Sequence, residues 1–240
     1  MNYKKLLENR NAIPEAFDGH KLQLIIGLLA ISFPFALILS YAVLGDENCS
    51  SILSAISAYY HTNVGTYFTG VLFAIAMAMF AYQGRSRLGG HLATFAAIMA
   101  IFVAIFPTTI DYDMSKALGN YCITNHLEPP RDDFGIIHYI SAVLLFIALI
   151  VFAFLFKKAT PKSNKVGKRK RLVFTICIVG MILSMLFMAL YSFELGMKKQ
   201  WFIDKAIPVI IIGESICLIL FGISWLVEYT TVSGVKKRQR

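Results

Sequence analysis

A chain of 240 residues in which 57% are hydrophobic and only 15% are charged does not suit a soluble domain, where about a quarter of the residues are charged. Lysine and arginine (23) outnumber the acidic residues (14). The basic residues are divided among several segments without interleaved aromatic residues or a known motif, which argues against nucleic acid as a partner. We therefore expect a membrane protein.

Six long apolar runs follow one another along the chain. Their bounds are 22–44, 67–82, 88–106, 136–156, 172–193 and 207–227. A helix rises about 1.5 Å per residue, so about 20 apolar residues cross a hydrocarbon core of roughly 30 Å. Each run is therefore long enough, or nearly long enough, to cross the membrane as a helix. The pattern predicts an all-α polytopic membrane protein, with one six-helix transmembrane domain over residues 1–240.

Small residues recur at helical spacing in the second and third runs. They are Gly70, Ala74 and Ala78 in the second run and Ala93, Ala96, Ala97, Ala100 and Ala104 in the third. Small residues four apart let helix backbones approach closely in lipid, where van der Waals packing drives association. Both stripes therefore predict contacts within one compact bundle.

The basic residues predict the topology. Eighteen of them lie in the N-terminal segment, the second and fourth connections and the C-terminal segment, and only five lie in the remaining connections. Cytoplasmic loops carry the excess of lysine and arginine. Both termini are therefore expected in the cytoplasm.

The fourth connection is the most basic segment of the chain. Its cations are Lys157, Lys158, Lys162, Lys165, Lys168, Arg169, Lys170 and Arg171. Each cation near an anionic leaflet contributes on the order of 1 kcal/mol of attraction. We expect a flexible cytoplasmic loop that either holds acidic lipid headgroups or only fixes the orientation of the protein.

Two of the four cysteines lie outside the apolar runs. Cys49 and Cys122 fall in the first and third connections, both expected on the outer side, where an oxidising exterior permits a disulfide. Spacing alone does not decide whether they pair, because pairing depends on the Cα distance. Cys177 and Cys217 lie inside spans and are expected to act as small hydrophobic residues.

Polar side chains gather at the expected outer face. The first outer connection, with Ser57 and His61, contains no Asp, Glu, Lys or Arg between residues 50 and 66 and should lie against the bundle. Asp111 follows the third run, His138 opens the fourth, and Glu214 lies about 10 Å below the outer end of the sixth. A carboxyl at that depth requires neutralisation or a partner. It therefore marks either a protonated structural glutamate or a polar pocket centred on Glu214 and His138.

Histidine and aspartate also suit zinc, and a three-ligand site would leave one position for a catalytic water. The spacing of His61, Asp111 and His138 follows no recognised metal motif. Zinc is therefore only a candidate cofactor, and we assign no metal ligand.

The order of these segments resembles the six-span family of the damage-regulated autophagy modulators and its uncharacterised bacterial relatives. The matching elements are Ile56-Ser57, the stripe His138, Ala142 and Phe146, the pair Arg171-Leu172, then Glu214 and the pair Phe221-Gly222. The segment Tyr59-Tyr60-His61-Thr62 is more similar to the bacterial members. The resemblance implies a protein of the bacterial cytoplasmic (inner) membrane.

Two functions of different class follow from this pattern. The first is a non-enzymatic membrane protein that binds or organises lipid, or regulates a membrane partner, through the outer pocket and the basic loop. The alternative is a metal-dependent hydrolase of the outer leaflet, with His61, Asp111, His138 and Glu214 as ligands or acid/base groups. We favour the first, with membrane lipids as partners.

Overall fold

The computed structural model of the chain describes residues 19–44, 52–82, 86–108, 132–196 and 209–236. The helices are α1 (Gly19–Leu44), α2 (Gly65–Ala81), α3 (Arg87–Ile105), α4 (Asp132–Ala159), α5 (Lys165–Gly196) and α6 (Val209–Lys236). A short 3-10 helix, Ser57–His61, precedes α2. No β-strand occurs within these ranges, so the all-α prediction is confirmed.

Five of the six helices are long and apolar enough to cross a membrane. The remaining helix, α2, has 17 residues and is about 25 Å long, at the short end of the range for a transmembrane helix. The protein is therefore an integral membrane protein. The side on which the termini lie stays a prediction.

The helices pack in chain order and close into a ring. Each helix contacts the next one along the chain, and α6 returns to pack against α1. At that closing contact a Cβ on Gly222 would lie 2.6 Å from the Gly27 carbonyl oxygen, and a Cβ on Gly27 would lie 2.9 Å from Leu226. Glycine at both positions therefore permits the close approach of α1 and α6.

Of the two predicted stripes of small residues, the one in α3 is confirmed and the one in α2 is wrong at two of its three positions, with only Ala78 buried. All five alanines of the α3 stripe are buried. In α2, however, Gly70 and Ala74 are exposed, and a Cβ on Gly70 would meet no atom within 4 Å. The buried face of α2 carries larger residues, including Phe68 and Leu72. Lipid tails accept a small apolar residue as readily as a helix does, so the spacing does not distinguish the two surroundings.

The fourth connection is a tight helical hairpin where a flexible loop was expected. Only residues 160–164 lie between α4 and α5. The Asn164 Oδ1 atom accepts a hydrogen bond from the Gly167 N–H at 2.6 Å. The Arg171 Nη1 atom donates to the carbonyls of Lys157, at 2.5 Å, and Thr160, at 3.2 Å. These side chains satisfy backbone groups that a helix end leaves without partners, while the expected flexibility of the segment stays a prediction.

Candidate functional site

The first outer connection docks onto the beginning of α6 through two backbone groups. The Ile211 N–H donates to the Ser54 carbonyl at 2.9 Å, and the Ile56 N–H donates to Glu214 Oε2 at 2.6 Å. The first four N–H groups of a helix lack intrahelical acceptors, so Ser54 satisfies one of them in α6. Glu214 is half-buried, and its carboxyl holds the loop onto the helix.

The interior of this connection is apolar and aromatic. Leu53, Ile56 and Val64 are buried, and Tyr59 has no exposed surface. The Tyr59 hydroxyl accepts a hydrogen bond from the Leu53 N–H at 3.3 Å, and burial raises the pKa of this phenol. The prediction that an uncharged outer loop lies against the bundle is confirmed.

Two buried histidines bind the segment that follows α3. His61 Nε2 lies 2.9 Å from the Thr108 carbonyl oxygen, and His138 Nδ1 lies 2.8 Å from the Phe106 carbonyl oxygen. The Thr108 hydroxyl also donates to the Tyr139 hydroxyl at 3.2 Å. Because α3 ends at Ile105, the two imidazoles supply donors to carbonyls beyond the helix end.

The environment of His61 favours its neutral form. Burial lowers the pKa of this imidazole, and the Thr108 carbonyl acts in the opposite direction. A neutral imidazole has one N–H donor and one acceptor nitrogen. With Nε2–H donating to Thr108, the Nδ1 atom of His61 is left as the acceptor.

The predicted outer residues bind different segments. His61 and His138 both bind the same segment, residues 106–108. Glu214 instead bonds to Ile56, the residue before the buried Ser57, and no hydrogen bond between Glu214 and His138 occurs among the described residues. Asp111 lies outside the described residues. Both histidines bind backbone carbonyls of a segment that covers the bundle. They do not bind the other predicted site residues that the structure describes.

A second polar group, missed by the sequence analysis, lies where α1 and α6 meet the end of α2. Gln23 is 3% exposed, and Trp225 and Glu228 are fully buried. The Gln23 Nε2 atom donates to the Tyr82 hydroxyl at 3.2 Å, and the Tyr82 and Trp225 ring centroids are 4.9 Å apart. We call Gln23, Tyr82, Trp225 and Glu228 the inner cluster.

The sequence contained a signal for the inner cluster. Glu228 follows Glu214 by 14 residues, which is nearly four helical turns of about 3.6 residues, so both carboxyls lie near one face of α6. The predicted sixth apolar run ends at residue 227, one residue before Glu228. In the structure α6 continues to Lys236 and the bundle covers Glu228.

The cations of the basic hairpin, residues 157–171, differ in their exposure to solvent. Lys162, Lys165, Lys168 and Arg169 are exposed, whereas Arg171 is half-buried against the end of α4. Exposed cations are available to a ligand, while Arg171 is already engaged with two carbonyls.

A family model described as a protein of unknown function, DUF998, matches residues 25–227. The chain belongs to the DUF998 family. The matched region extends from within α1 to within α6, so the closed helical ring constitutes the DUF998 domain. The prediction of an uncharacterised family is confirmed, while the likeness to the autophagy modulators stays a prediction. Neither a curated protein nor a solved structure matches the chain significantly.

Membership in DUF998 assigns no cofactor, so a metal site is judged on the residues alone. Within the described parts of the chain no three His, Cys, Asp or Glu side chains are grouped closely enough to hold a metal ion. Asp111, the third ligand considered for zinc, falls outside them. Cys49 and Cys122 fall outside them as well, and their disulfide stays a prediction.

Proposed function

We propose that this DUF998 protein is a non-enzymatic integral membrane protein that binds anionic lipid headgroups at its cytoplasmic side through the basic hairpin. The observation that carries the proposal is the charge of the hairpin. Eight lysines and arginines, and no aspartate or glutamate, occur among the residues 157–171. Headgroups with negative charge are the membrane component that such a surface attracts.

The hairpin structure supports binding because its backbone is already fixed. The Asn164 contact to Gly167 and the Arg171 contacts to α4 define the turn, so the exposed cations sit on a defined frame. Pre-organised groups bind with a smaller loss of conformational entropy. Lys165, Lys168 and Arg169 lie in the first turns of α5, and Lys162 lies in the turn itself.

Glu214, His61 and His138 have a supporting part in this proposal. All three are engaged with backbone groups of the two segments that cover the bundle. Such contacts fix these segments over the helix ends. In the proposed function they keep the helical ring in one shape while the opposite side binds lipid.

The test compares two double variants that remove equal charge. Lys165→Gln with Lys168→Gln removes two exposed cations from the hairpin, and Lys21→Gln with Arg87→Gln removes two exposed cations elsewhere on the same expected side. Delipidated protein in a neutral detergent is titrated with phosphatidylglycerol or phosphatidylcholine, and the melting temperature is recorded. We expect phosphatidylglycerol to raise it in the wild type and in the control variant, with a reduced rise in the hairpin variant. Equal rises in all three would reject the hairpin as the binding surface.

A cysteine-accessibility measurement on the same variants separates lipid binding from a role in orientation. The positive-inside rule accounts for cations on this side of the membrane without any bound lipid. If orientation were their only role, the hairpin variant would change the accessibility of a cysteine introduced after Lys165 but not the response to phosphatidylglycerol. An unchanged accessibility with a lost lipid response supports the proposal.

The histidine geometry favours one alternative function, a metal-dependent hydrolase of the outer leaflet. A histidine that ligates a metal usually donates its other ring N–H to a carbonyl or carboxylate. His61 and His138 each have one ring nitrogen at a backbone carbonyl. Asp111 is the third ligand in this hypothesis. Elemental analysis of purified protein is expected to find about one zinc per chain under this hypothesis, and loss of zinc in His61→Gln; protein with full stability and no zinc would reject it.

A further inference from the structure

The inner cluster has two hydrogen-bonding atoms that the described residues do not satisfy. The Gln23 Oε1 atom, an acceptor, and the Trp225 Nε1 atom, a donor, are both buried and have no partner within the described part of the chain. The amide nitrogen of Gln23 is already committed to Tyr82. One buried acceptor and one buried donor are therefore left in the same cluster.

Gln23 and Trp225, which carry these two atoms, both contact the Tyr82 side chain. Gln23 binds Tyr82, and the Tyr82 ring packs on Trp225. Phe152, Phe156 and Phe221 surround the indole ring, with centroid distances of 5.3, 5.4 and 5.6 Å. The surroundings of the indole N–H are thus aromatic and apolar apart from the inner cluster itself.

Leaving such atoms unsatisfied is unfavourable. A buried polar group without a hydrogen bond is destabilising by about 1–3 kcal/mol. Protein interiors satisfy such groups with single bound waters, which typically have two to four polar partners. A donor, an acceptor and a nearby carboxyl are a complete set of partners for one water.

We propose that Gln23, Trp225 and Glu228 bind one water molecule inside the helical ring. The water accepts a hydrogen bond from the Trp225 N–H and donates one to Gln23 Oε1. Its second hydrogen is directed to the Glu228 carboxyl, which lies one helical turn from Trp225 on α6. A purely apolar ligand or a halide ion cannot complete this arrangement, because neither donates to the amide oxygen.

The bound water links α1 and α6 beside a close approach of the two helices. Gly27 and Gly222 allow that approach one turn away from Gln23 and Trp225, respectively. The water would add a polar contact to a surface otherwise held by van der Waals packing. It also hydrates a carboxyl that the protein fully encloses. This inference is independent of lipid binding by the basic hairpin.

The test observes the indole N–H directly. The chain has two tryptophans, and Trp201→Phe leaves Trp225 as the single indole. Resonance Raman spectra of that full-length variant in detergent are expected to show a hydrogen-bonded N–H that exchanges in deuterium oxide. Adding Gln23→Leu should shift the band toward the position of a free N–H. A free N–H in the Trp201→Phe protein, or a bonded N–H that does not exchange, would overturn the proposal.

A second measurement does not depend on the folding of the Gln23 variant. X-ray radiolysis generates hydroxyl radicals from bound water and oxidises the side chains beside it. Wild-type protein should be oxidised at Trp225 and spared at Met181, which is equally buried (1% exposed) in an apolar part of the core. Oxidation at Met181 without oxidation at Trp225 would likewise overturn the proposal.

Discussion

The Glu214 carboxyl accepts a hydrogen bond from the backbone N–H of Ile56 at 2.6 Å, across 158 residues of sequence. A second bond, from the Ile211 N–H to the Ser54 carbonyl, lies beside it. Together these bonds make the first outer connection part of the α6 surface. Glu214 therefore has a backbone partner in the loop that covers it.

This bond predicts different behaviour for two substitutions of Glu214. Gln keeps an oxygen acceptor for the Ile56 N–H, whereas Leu removes it. Leaving a buried N–H without an acceptor costs about 1–3 kcal/mol, so Glu214→Leu should accelerate hydrogen exchange at Ile56 by roughly 5- to 150-fold. Hydrogen–deuterium exchange mass spectrometry of the peptide around Ile56 measures this. Equal acceleration by Gln and Leu would show that the hydrogen bond does not hold the loop.

Sequence analysis could predict the helices, because hydrophobic length and helical rise alone determine which segments can cross a bilayer. It also located Glu214, His61 and His138 on one side. It did not give their partners, since Ile56, Phe106 and Thr108 contribute backbone groups that every residue has. A sequence pattern therefore does not show which backbone groups bind a given side chain.

The sequence also did not reveal which charged residues near the helix ends are buried. Glu228 and Arg171 both lie just beyond predicted span boundaries, and charged residues at such positions usually face water. The return of α6 to α1 encloses Glu228, and the short turn after α4 brings Arg171 to the Lys157 and Thr160 carbonyls. Both outcomes depend on tertiary packing.

The closest contact between α1 and α6 predicts the effect of a single methyl group. In Gly222→Ala the new Cβ would lie 2.6 Å from the Gly27 carbonyl oxygen, so the helices must separate, and overpacking of this kind typically destabilises by about 1–3 kcal/mol. Thermal unfolding in detergent should report a lower melting temperature. Gly70→Ala is the matched control, because its Cβ would meet no atom within 4 Å. A melting temperature lowered as much by Gly70→Ala would contradict the packing argument.

Arg171 should stabilise the hairpin, while its basic neighbours should not. Arg171→Gln removes a guanidinium that donates to two carbonyls, and we expect a loss of about 1–3 kcal/mol of unfolding free energy. Lys168→Gln changes an exposed side chain and should stay within about 0.5 kcal/mol of the wild type. Chemical unfolding in mixed micelles measures both. Indistinguishable variants would mean that the Arg171 contacts do not stabilise the turn.

The buried histidine of the first outer connection, His61, predicts a dependence of stability on pH. Burial lowers the pKa of His61 below its usual value of 6.5, so the folded state favours the neutral ring. This contribution is complete above pH 6.5 and is lost as the pH falls through the lower, folded-state pKa. Between about pH 7.5 and pH 5, the wild-type melting temperature should therefore fall more than that of His61→Gln.

The control for this pH effect is His91, an exposed histidine in α3. His91→Gln should lose as much stability on acidification as the wild type. A His61→Gln protein with the same acid sensitivity as both would show that protonation of His61 does not act on the fold.

Native mass spectrometry of the intact protein tests the proposed lipid binding most directly. Protein released from membranes that contain equal amounts of phosphatidylglycerol and phosphatidylcholine should retain mainly phosphatidylglycerol. Changing Lys162, Lys165, Lys168 and Arg169 together to Gln should abolish that preference, while Lys21→Gln with Arg87→Gln should keep it. Raising the salt concentration should weaken the preference in the wild type, because salt screens exposed charges. A preference for phosphatidylglycerol that survives the fourfold change, or no preference in the wild type, would contradict the assignment of the basic hairpin as an anionic-lipid site.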